Sequence, residues 1–278
     1  MSLILGPAPH TVQQGDTGAF MRRVLYACLP GLAVLIWVFG WGTLINVLWA
    51  ILVAVGTEAA VLKMRGRDVR FFLSDWSVVI TGLLLGLSLP PTSPWWLTLV
   101  GVAFAVIVAK HLYGGLGMNP FNPAMVGYAL LLVSFPVAMT AWIAPFEAPT
   151  FDESVALFLG QAQPDAFSGA TPLDTFRTWA GNAEALAGHD ILHGRVAGRG
   201  WEWVNAAFLL GGVYLLARRI INWHIPAGFL AGLALPALAF WLINDVRYAD
   251  PLFHLFSGGT MLGRSEERRV GKECIVKC

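Results

Sequence analysis

The sequence predicts an all-α membrane protein, a polytopic bundle of transmembrane helices with one long extracytoplasmic loop. Of its 278 residues, 56% are hydrophobic and only 13% are charged, whereas a soluble domain has about 25% charged residues. Apolar segments of about 20 residues recur, the length that a helix needs to cross the lipid with every backbone polar group satisfied. One polar segment, residues 144–201, divides these apolar segments into two groups.

About eight spans are predicted, because each must cover the hydrocarbon layer. Residues 24–143 hold helices one to five and residues 202–263 hold helices six to eight. The predicted spans are Val24–Trp41, Leu44–Leu62, Ser77–Leu89, Trp95–Leu112, Ala124–Ile143, Trp203–Ala217 and Ala227–Ile243, with the last beginning near Leu252. Tryptophan side chains favour the headgroup zone, so we interpret those near the predicted ends as interface anchors. They are Trp41, Trp49, Trp95, Trp96, Trp142, Trp201, Trp203, Trp223 and Trp241.

Positive residues in short loops mark the cytoplasmic side of a membrane protein. Here such residues fall on alternate connections of the predicted bundle. The rule predicts that residues 1–23 form an N-terminal arm in the cytoplasm and that residues 144–201 lie on the opposite, extracytoplasmic side. The residues that set this parity are Arg22, Arg23, Lys63, Arg65, Arg67, Arg70, Lys110, Arg218 and Arg219.

The exported loop contains a threonine hydroxyl among small residues, in Ser168–Thr171. Such a hydroxyl needs an external catalyst to react, and no histidine lies near Thr171 in sequence to serve as its base. The site therefore resembles one that is modified by another protein. The alternative is structural, with Ser or Thr capping a helix that starts at Pro172. The residues that we assign to this site are Ser168, Gly169, Ala170, Thr171 and Asp174.

A second motif, residues 114–124, breaks the helical pattern between the fourth and fifth spans. Its two Asn-Pro steps remove backbone donors and bias the asparagines towards extended geometry. One interpretation is a tight cytoplasmic turn in which Asn122 caps a helix that begins at Pro123. The other is that Asn119 and Asn122, at a helix N-terminus, bind a phosphate-bearing or polar ligand or line an ion path.

Three stretches resemble the D-subunit family of the Rnf ion-translocating electron-transport complex. Ser168–Thr171 is similar to the sequence at which a flavin transferase attaches FMN to threonine. Residues 122–136 and residues 256–263 are similar to two stretches of transmembrane helix in that family. The homologous B-type protein of the sodium-pumping NADH:quinone reductase shares the architecture and the threonine motif, but the short N-terminal arm favours the Rnf family.

The resemblance implies that Thr171 carries FMN through a phosphoester, which leaves the flavin ring free to exchange electrons. It implies a polytopic protein of the bacterial inner membrane with the flavin loop in the periplasm. The implied partners are the A, B, C, E and G subunits of the Rnf complex and the flavin transferase. The chain would relay electrons between flavins while the complex moves sodium ions or protons. A second, noncovalent flavin near Asn119 and Asn122 is left open.

Other features narrow the function. A formal net charge of +1 and clustered basic residues leave no patch for nucleic acid. The three cysteines lack metal-binding spacing, and no dinucleotide fingerprint occurs, so electron entry must belong to other subunits. The chain is therefore expected to be an electron-transfer subunit and not a complete enzyme. The rival hypothesis is a secondary transporter or scaffold in which the broken helix binds a solute and Thr171 stays unmodified.

Glu58 lies inside the second apolar segment, and a carboxylate at that depth is a candidate for a cation or proton path. The alternative is that it pairs with a basic side chain such as Lys63 at the membrane edge. Asp75, before the third span, and Lys110 and His111, after the fourth, are equally well interpreted as interface groups.

The chain becomes densely charged from Arg264 onward, only about ten residues into the last span, which is too short to cross a bilayer. The family resemblance predicts further apolar residues and at least one more span at this point. We therefore interpret residues 264–278 as a non-native tail. The alternative is a genuine basic tail next to the membrane.

Overall fold

The computed structural model describes residues 17–115, 119–162, 169, 171–179, 188–194, 198–244 and 247–257. All regular elements within these ranges are helical, so the predicted fold class is confirmed. The α-helices are α1 (Thr17–Phe39), α2 (Trp41–Met64), α3 (Val69–Leu73), α4 (Ser77–Ser88), α5 (Trp95–Phe104), α6 (Pro123–Ser134), α7 (Pro136–Thr140), α8 (Phe151–Phe158), α9 (Pro172–Trp179), α10 (Trp201–Ala217), α11 (His224–Ile243) and α12 (Pro251–Ser257). A π-helical segment, Ala105–His111, continues α5, and a 3₁₀ turn covers Asp190–Leu192.

Three of the described helices, α1, α2 and α11, are long and apolar enough to cross a membrane. Four shorter apolar helices coincide with the third to sixth predicted spans. They are Ser77–Ser88, Trp95–His111, Pro123–Ser134 and Trp201–Ala217. The total number of spans stays a prediction.

Two predicted spans differ from the helices that contain them. The first helix begins at Thr17, so Arg22 and Arg23, which precede the predicted span at Val24, lie inside it. The fifth span is not one continuous helix, because it breaks at Phe135, whose φ of −133° and ψ of 57° are not helical. Pro136 follows directly, and a proline disfavours helical geometry in the residue before it.

The helices pack around α2, which contacts α4 most extensively, and glycines let the two backbones approach closely. A Cβ added to Gly86 would lie 2.8 Å from the Cα of Val47, and one added to Gly82 would lie 2.8 Å from the Ala50 carbonyl oxygen. Helix α10 packs in the same manner along α1. In contrast, α11 has no buried residue and contacts α12.

The connections gather at two opposite ends of the bundle. At one end, the start of α1 and the residues after α2 and α5 surround a common cavity. At the other end, the Asn46 amide donates to the Pro90 carbonyl at 3.1 Å, and the Phe146 N–H donates to the Val38 carbonyl at 2.9 Å. The first end carries Lys63, Arg65 and Arg67, and we call it the basic end; the second is the loop end. Which end faces the cytoplasm stays a prediction.

Within the long loop, α8 begins with a capping box. The Glu153 carboxylate accepts hydrogen bonds from the Thr150 N–H and hydroxyl, each at 2.8 Å, and the Glu153 N–H donates to the Thr150 hydroxyl. Both bonds to the carboxylate favour its charged form, so they lower the pKa of Glu153 below its ordinary value of 4.5.

We expect Thr150→Ala to raise the pKa of Glu153 towards 4.5, because the hydroxyl donor is lost while the backbone donor remains. Since the pKa is lowered in the folded protein, the box stabilises α8 above pH 4.5 and is lost as the pH falls through the folded pKa. Titration of the labelled Glu153 carboxyl by NMR checks this. An unchanged pKa in Thr150→Ala would show that the hydroxyl bond does not form.

Candidate functional site

The described part of the long loop carries Thr171 directly before α9. The Thr175 N–H donates to the Thr171 carbonyl at 2.9 Å, which is the first turn of a helix that begins at Pro172. The helix start predicted at Pro172 is therefore confirmed. Thr171 is only 6% exposed.

Two contacts hold this segment to different parts of the bundle. On one side, the Gly169 N–H donates to the Trp142 carbonyl at 2.6 Å, just after α7. On the other, Gly198 packs so closely on Pro172 that an added Cβ would lie 2.5 Å from the proline ring. The Gly198 N–H donates in turn to the Ser257 hydroxyl oxygen of α12.

Helix α9 also packs directly against α12. The rings of Phe176 and Phe253 lie 5.6 Å apart between centroids. Helix α12 is held by α10, where the Asn205 amide donates to the Phe256 carbonyl at 2.6 Å and to the Trp201 carbonyl at 3.1 Å. We call the set of contacts between α9 and α12, made by Phe176 and Phe253 and through Gly198 and Ser257, the α9 dock.

A buried aromatic cluster lies at the loop end, next to the chain that holds Gly169. The ring centroids of Phe39, Trp142 and Trp201 lie 4.8–5.6 Å from one another. Trp142 is 4% exposed and Trp201 is 1% exposed, so their assignment as interface anchors is wrong. The sequence places them at helix ends, but tertiary packing turns them inwards.

Part of the predicted threonine site lies outside the described residues, namely Ser168, Ala170 and the side chain of Asp174. Gly169 and Thr171 are described, and the backbone of Asp174 lies in the first turn of α9.

Asn119 and Asn122 do not join the threonine site. The Asn122 side chain accepts from the Ala124 N–H at 3.0 Å, and the Asn119 amide donates to the Phe121 carbonyl at 2.7 Å. The predicted helix cap at Asn122 is thus confirmed. Helices α6 and α7 separate these asparagines from the loop end, a distance of about 25 Å along the chain at the α-helical rise.

A second polar cluster, which we call the Lys110 network, lies buried at the basic end. The Lys110 ammonium is 2.8 Å from both carboxylate oxygens of Glu58 and 2.8 Å from the Ser77 hydroxyl oxygen. The Ser77 hydroxyl donates to Asp75 at 2.7 Å. His111 Nε2 lies 3.4 Å from the Glu58 carboxylate, and neither ring nitrogen has a hydrogen-bond partner among the described residues.

The network confirms that Glu58 pairs with a basic side chain, which is Lys110 and not Lys63. Lys110 and His111 are only 3–4% exposed, so the interpretation of both as interface groups is wrong. The π-helical segment turns both side chains inwards at the end of α5. Because the ammonium contacts both carboxylate oxygens, Glu58 offers no free carboxylate to a cation in this conformation. The sequence did contain a signal for this pair, because Glu58 and Lys110 carry opposite charges and each lies in an apolar segment.

The network forms one wall of a cavity of about 430 Å³ that opens at the basic end. Its lining combines charged groups with aromatic rings and a glycine turn, and it includes Arg67, Phe71, Phe72, Gly114 and Gly115. Ligand pockets usually range from about 300 to 1,000 Å³. The cavity falls within this range, and its lining is both polar and apolar.

The sequence pattern that defines the NQR2, RnfD, RnfE family matches residues 4–265. The chain belongs to this family. The resemblance to this family that the threonine and Asn-Pro motifs indicated is therefore confirmed. The match covers the bundle, the long loop with Thr171 and the Lys110 network.

Relatives within the NQR2, RnfD, RnfE family include proteins named as the D subunit of an ion-translocating oxidoreductase complex. The protein of Alcanivorax borkumensis is 67% identical over 267 residues, which are 95% of this chain and 78% of the relative. That of Pseudomonas paraeruginosa is 52% identical over 95% of this chain and 77% of the relative. That of Escherichia fergusonii is 45% identical over 93% of this chain and 79% of the relative.

Proposed function

We propose that this chain is the membrane D subunit of an ion-translocating oxidoreductase complex and carries FMN as a phosphoester on Thr171. It would relay electrons between flavins while the complex moves sodium ions or protons. Family membership and the names of three relatives from different bacteria support the subunit assignment. Family membership and these names favour the D-subunit assignment over a secondary transporter. The names also favour it over a B-type protein of a quinone reductase.

The observation that carries the proposal is the position of Thr171. It directly precedes a short helix at the loop end. Its neighbour Gly169 bonds to Trp142 in the first half of the bundle, and Pro172 packs on Gly198 before the second half. A redox group tethered there would be fixed near the membrane surface and next to a buried aromatic cluster. The hydroxyl and its small neighbour Gly169 suit a phosphoester, although the side chain must turn outwards to accept one.

Bound FMN supplies the redox chemistry, and this chain supplies its location. The phosphoester restricts the flavin to one place without changing the ring, since the bond is made through the phosphate. Trp142 and Gly198 fix the backbone on both sides of Thr171, so that the distance from the flavin to neighbouring carriers would be set by rigid elements.

A second, noncovalent flavin belongs to the same proposal. The cavity at the basic end supports it, because its size and its aromatic and polar lining suit a flavin ring. Asn119 and Asn122 lie in the turn that follows the cavity's Gly114 and Gly115, and in the described conformation their side chains bond to their own turn. The cavity is thus better supported than the asparagine side chains as the place of the ring.

The test is to purify the protein from cells that contain the flavin transferase and to look for flavin fluorescence after denaturing electrophoresis. We expect a fluorescent wild-type band, complete loss of fluorescence in Thr171→Ala, and an intact mass that is larger by one FMN in the wild type only. Thr178→Ala is the matched control, because Thr178 is an exposed threonine on the same helix.

Acid precipitation separates covalent from noncovalent flavin in the same sample. Covalent FMN stays in the protein pellet, and a noncovalent flavin is released into the supernatant. A colourless wild-type protein of unmodified mass would contradict the proposal and favour the transporter hypothesis.

A further inference from the structure

We infer that the Lys110 ammonium occupies a binding site for an alkali cation, and that such a cation and the ammonium bind there alternately. The site consists of both carboxylate oxygens of Glu58 and the Ser77 hydroxyl oxygen. The inference goes beyond the proposed function, because it holds whether or not Thr171 carries FMN.

The oxygen ligands of this site already surround a positive charge. The oxygen atoms of Glu58 in α2 and Ser77 in α4 each lie 2.8 Å from the ammonium, which reaches them from the π-helical segment after α5. Carboxylate and hydroxyl oxygens are the ligands that hard cations prefer. Because α2 and α4 approach each other closely at Gly82 and Gly86, the positions of the ligands do not depend on the lysine.

Asp75 orients the Ser77 hydroxyl towards a cation. The hydroxyl donates its hydrogen to the Asp75 carboxylate at 2.7 Å, so the oxygen lone pairs remain available for a positive charge. The Ser77 N–H donates to the same carboxylate oxygen at 2.8 Å and fixes its position. Within the described ranges no basic side chain forms an ion pair with Asp75, so this carboxylate can accept a displaced ammonium.

The cavity at the basic end gives the ammonium a place to move to. Lys110, Glu58 and Asp75 all line this cavity, so the lysine needs only to turn from one carboxylate to the other. Lysine suits such a movement, because its ammonium ends a flexible four-carbon stem. After the exchange the cation neutralises Glu58 and the ammonium neutralises Asp75. The exchange therefore avoids the unpaired buried charge that makes breaking such a pair costly.

His111 provides a second observation that a ligand enters here. Its side chain is 5% exposed and lines the cavity, and neither ring nitrogen has a hydrogen-bond partner among the described residues. A buried polar group normally has a protein or water partner. Water molecules that accompany an entering cation would supply that partner, because a neutral imidazole offers one donor and one acceptor.

The charge of the site favours a monovalent ion. The entering ion replaces an ammonium of the same charge, so a sodium or potassium ion leaves the net charge of the buried site unchanged. A divalent ion would add a positive charge in a buried place, where uncompensated charge is costly. Sodium and potassium ions both meet this requirement, so separate titrations decide between them.

Lys110→Ala opens the site to an external cation. Alanine removes the lysine stem as well as its charge, whereas methionine would keep the space filled. The full chain in detergent is dialysed against radioactive sodium in N-methylglucamine chloride at constant ionic strength. We expect Lys110→Ala to bind sodium at least about tenfold more tightly than the wild type, in which the site is free only in a minor state.

Glu58→Gln combined with Lys110→Ala is the matched control, because it keeps the space and removes the charged ligand. This double variant should bind no sodium. Displacement of sodium by potassium at a lower concentration would assign the site to potassium and keep the inference. Equal sodium binding by Lys110→Ala and the double variant would overturn it.

Amine labelling tests the exchange in the wild type, where the fold is intact. Acetylation of Lys110 is followed by peptide mass spectrometry while sodium chloride or potassium chloride replaces N-methylglucamine chloride. We expect one of these salts to raise the labelling of Lys110 several-fold, because the displaced ammonium enters the cavity, and to leave the exposed Lys63 unchanged. Labelling of Lys110 that neither salt changes would overturn the inference, even if Lys110→Ala does not fold. Neither measurement involves flavin, so the proposed function is tested separately.

Discussion

Lys110→Met should destabilise the bundle by about 3–5 kcal/mol, the usual cost of removing one partner of a buried ion pair. The change leaves the buried Glu58 side chain, which is 3% exposed, without the ammonium that neutralises it. It also removes the donor to Ser77, so the hydrogen bonds that lead to Asp75 lose their link to Glu58. Unfolding of the purified protein in detergent, followed by circular dichroism against increasing SDS, measures the loss.

Two controls show whether the loss comes from the pair. Lys63→Met removes an exposed lysine from α2, near Glu58 in sequence, and should change stability by no more than about 0.5 kcal/mol. The double variant Glu58→Met with Lys110→Met removes both charges and should recover most of the stability, because apolar replacement of a complete pair is often neutral. A Lys110→Met variant as stable as Lys63→Met would show that the pair contributes nothing.

The same variants bear on ion movement. Glu58 is the carboxylate that the sequence analysis identified as a candidate for a cation or proton path. In the described conformation Lys110 contacts both of its oxygens. Any role of Glu58 in such a path therefore requires the lysine to move. The π-helical segment that carries Lys110 is suited to that movement, because π-helical turns are insertions that often occur at functional sites.

Gly211→Ala should cost about 2–3 kcal/mol although it adds a single methyl group. An added Cβ would lie 2.1 Å from the Ala27 carbonyl oxygen, which belongs to the backbone of α1 and cannot rotate away. Relief requires α1 and α10 to separate, and this would also loosen Phe208, whose ring packs on Gly31. The same SDS unfolding experiment measures the effect.

Gly212→Ala is the matched control, because an added Cβ at Gly212 has no atom within 4 Å. The same substitution one residue further along the same helix should be neutral or slightly stabilising, since alanine has the higher helix propensity by about 1 kcal/mol. If the two variants unfold at the same SDS concentration, the close approach of α1 and α10 does not exist.

Local features of the fold were predictable from the sequence because they depend on neighbouring residues. The cap at Asn122 and the helix start at Pro172 follow from residue types within one turn, and both are confirmed. The break at Phe135 had a local signal in Pro136 as well, but the apolar run through it suggested one span. Hydropathy reports how well a segment suits lipid and not whether its backbone is continuous.

The sequence identified individual residues of the candidate sites, but it did not predict which of them contact one another or how deeply they are buried. Thr171 was found by its motif, and Glu58 by its charge within an apolar segment. The burial of Thr171, the pairing of Glu58 with Lys110 and the inward position of Trp201 were not found. Each depends on a segment that lies far away in the sequence.

The sequence by itself determined the all-helical membrane class, the family and the position of the threonine motif, because lipid forces each apolar segment to satisfy its own backbone and because short motifs are local. Only the tertiary structure decided which charges meet and what covers Thr171. Glycines such as Gly211 set how closely two helices approach, and this distance selects the distant side chains that come into contact. A pattern of residue types along one chain does not encode such a distance.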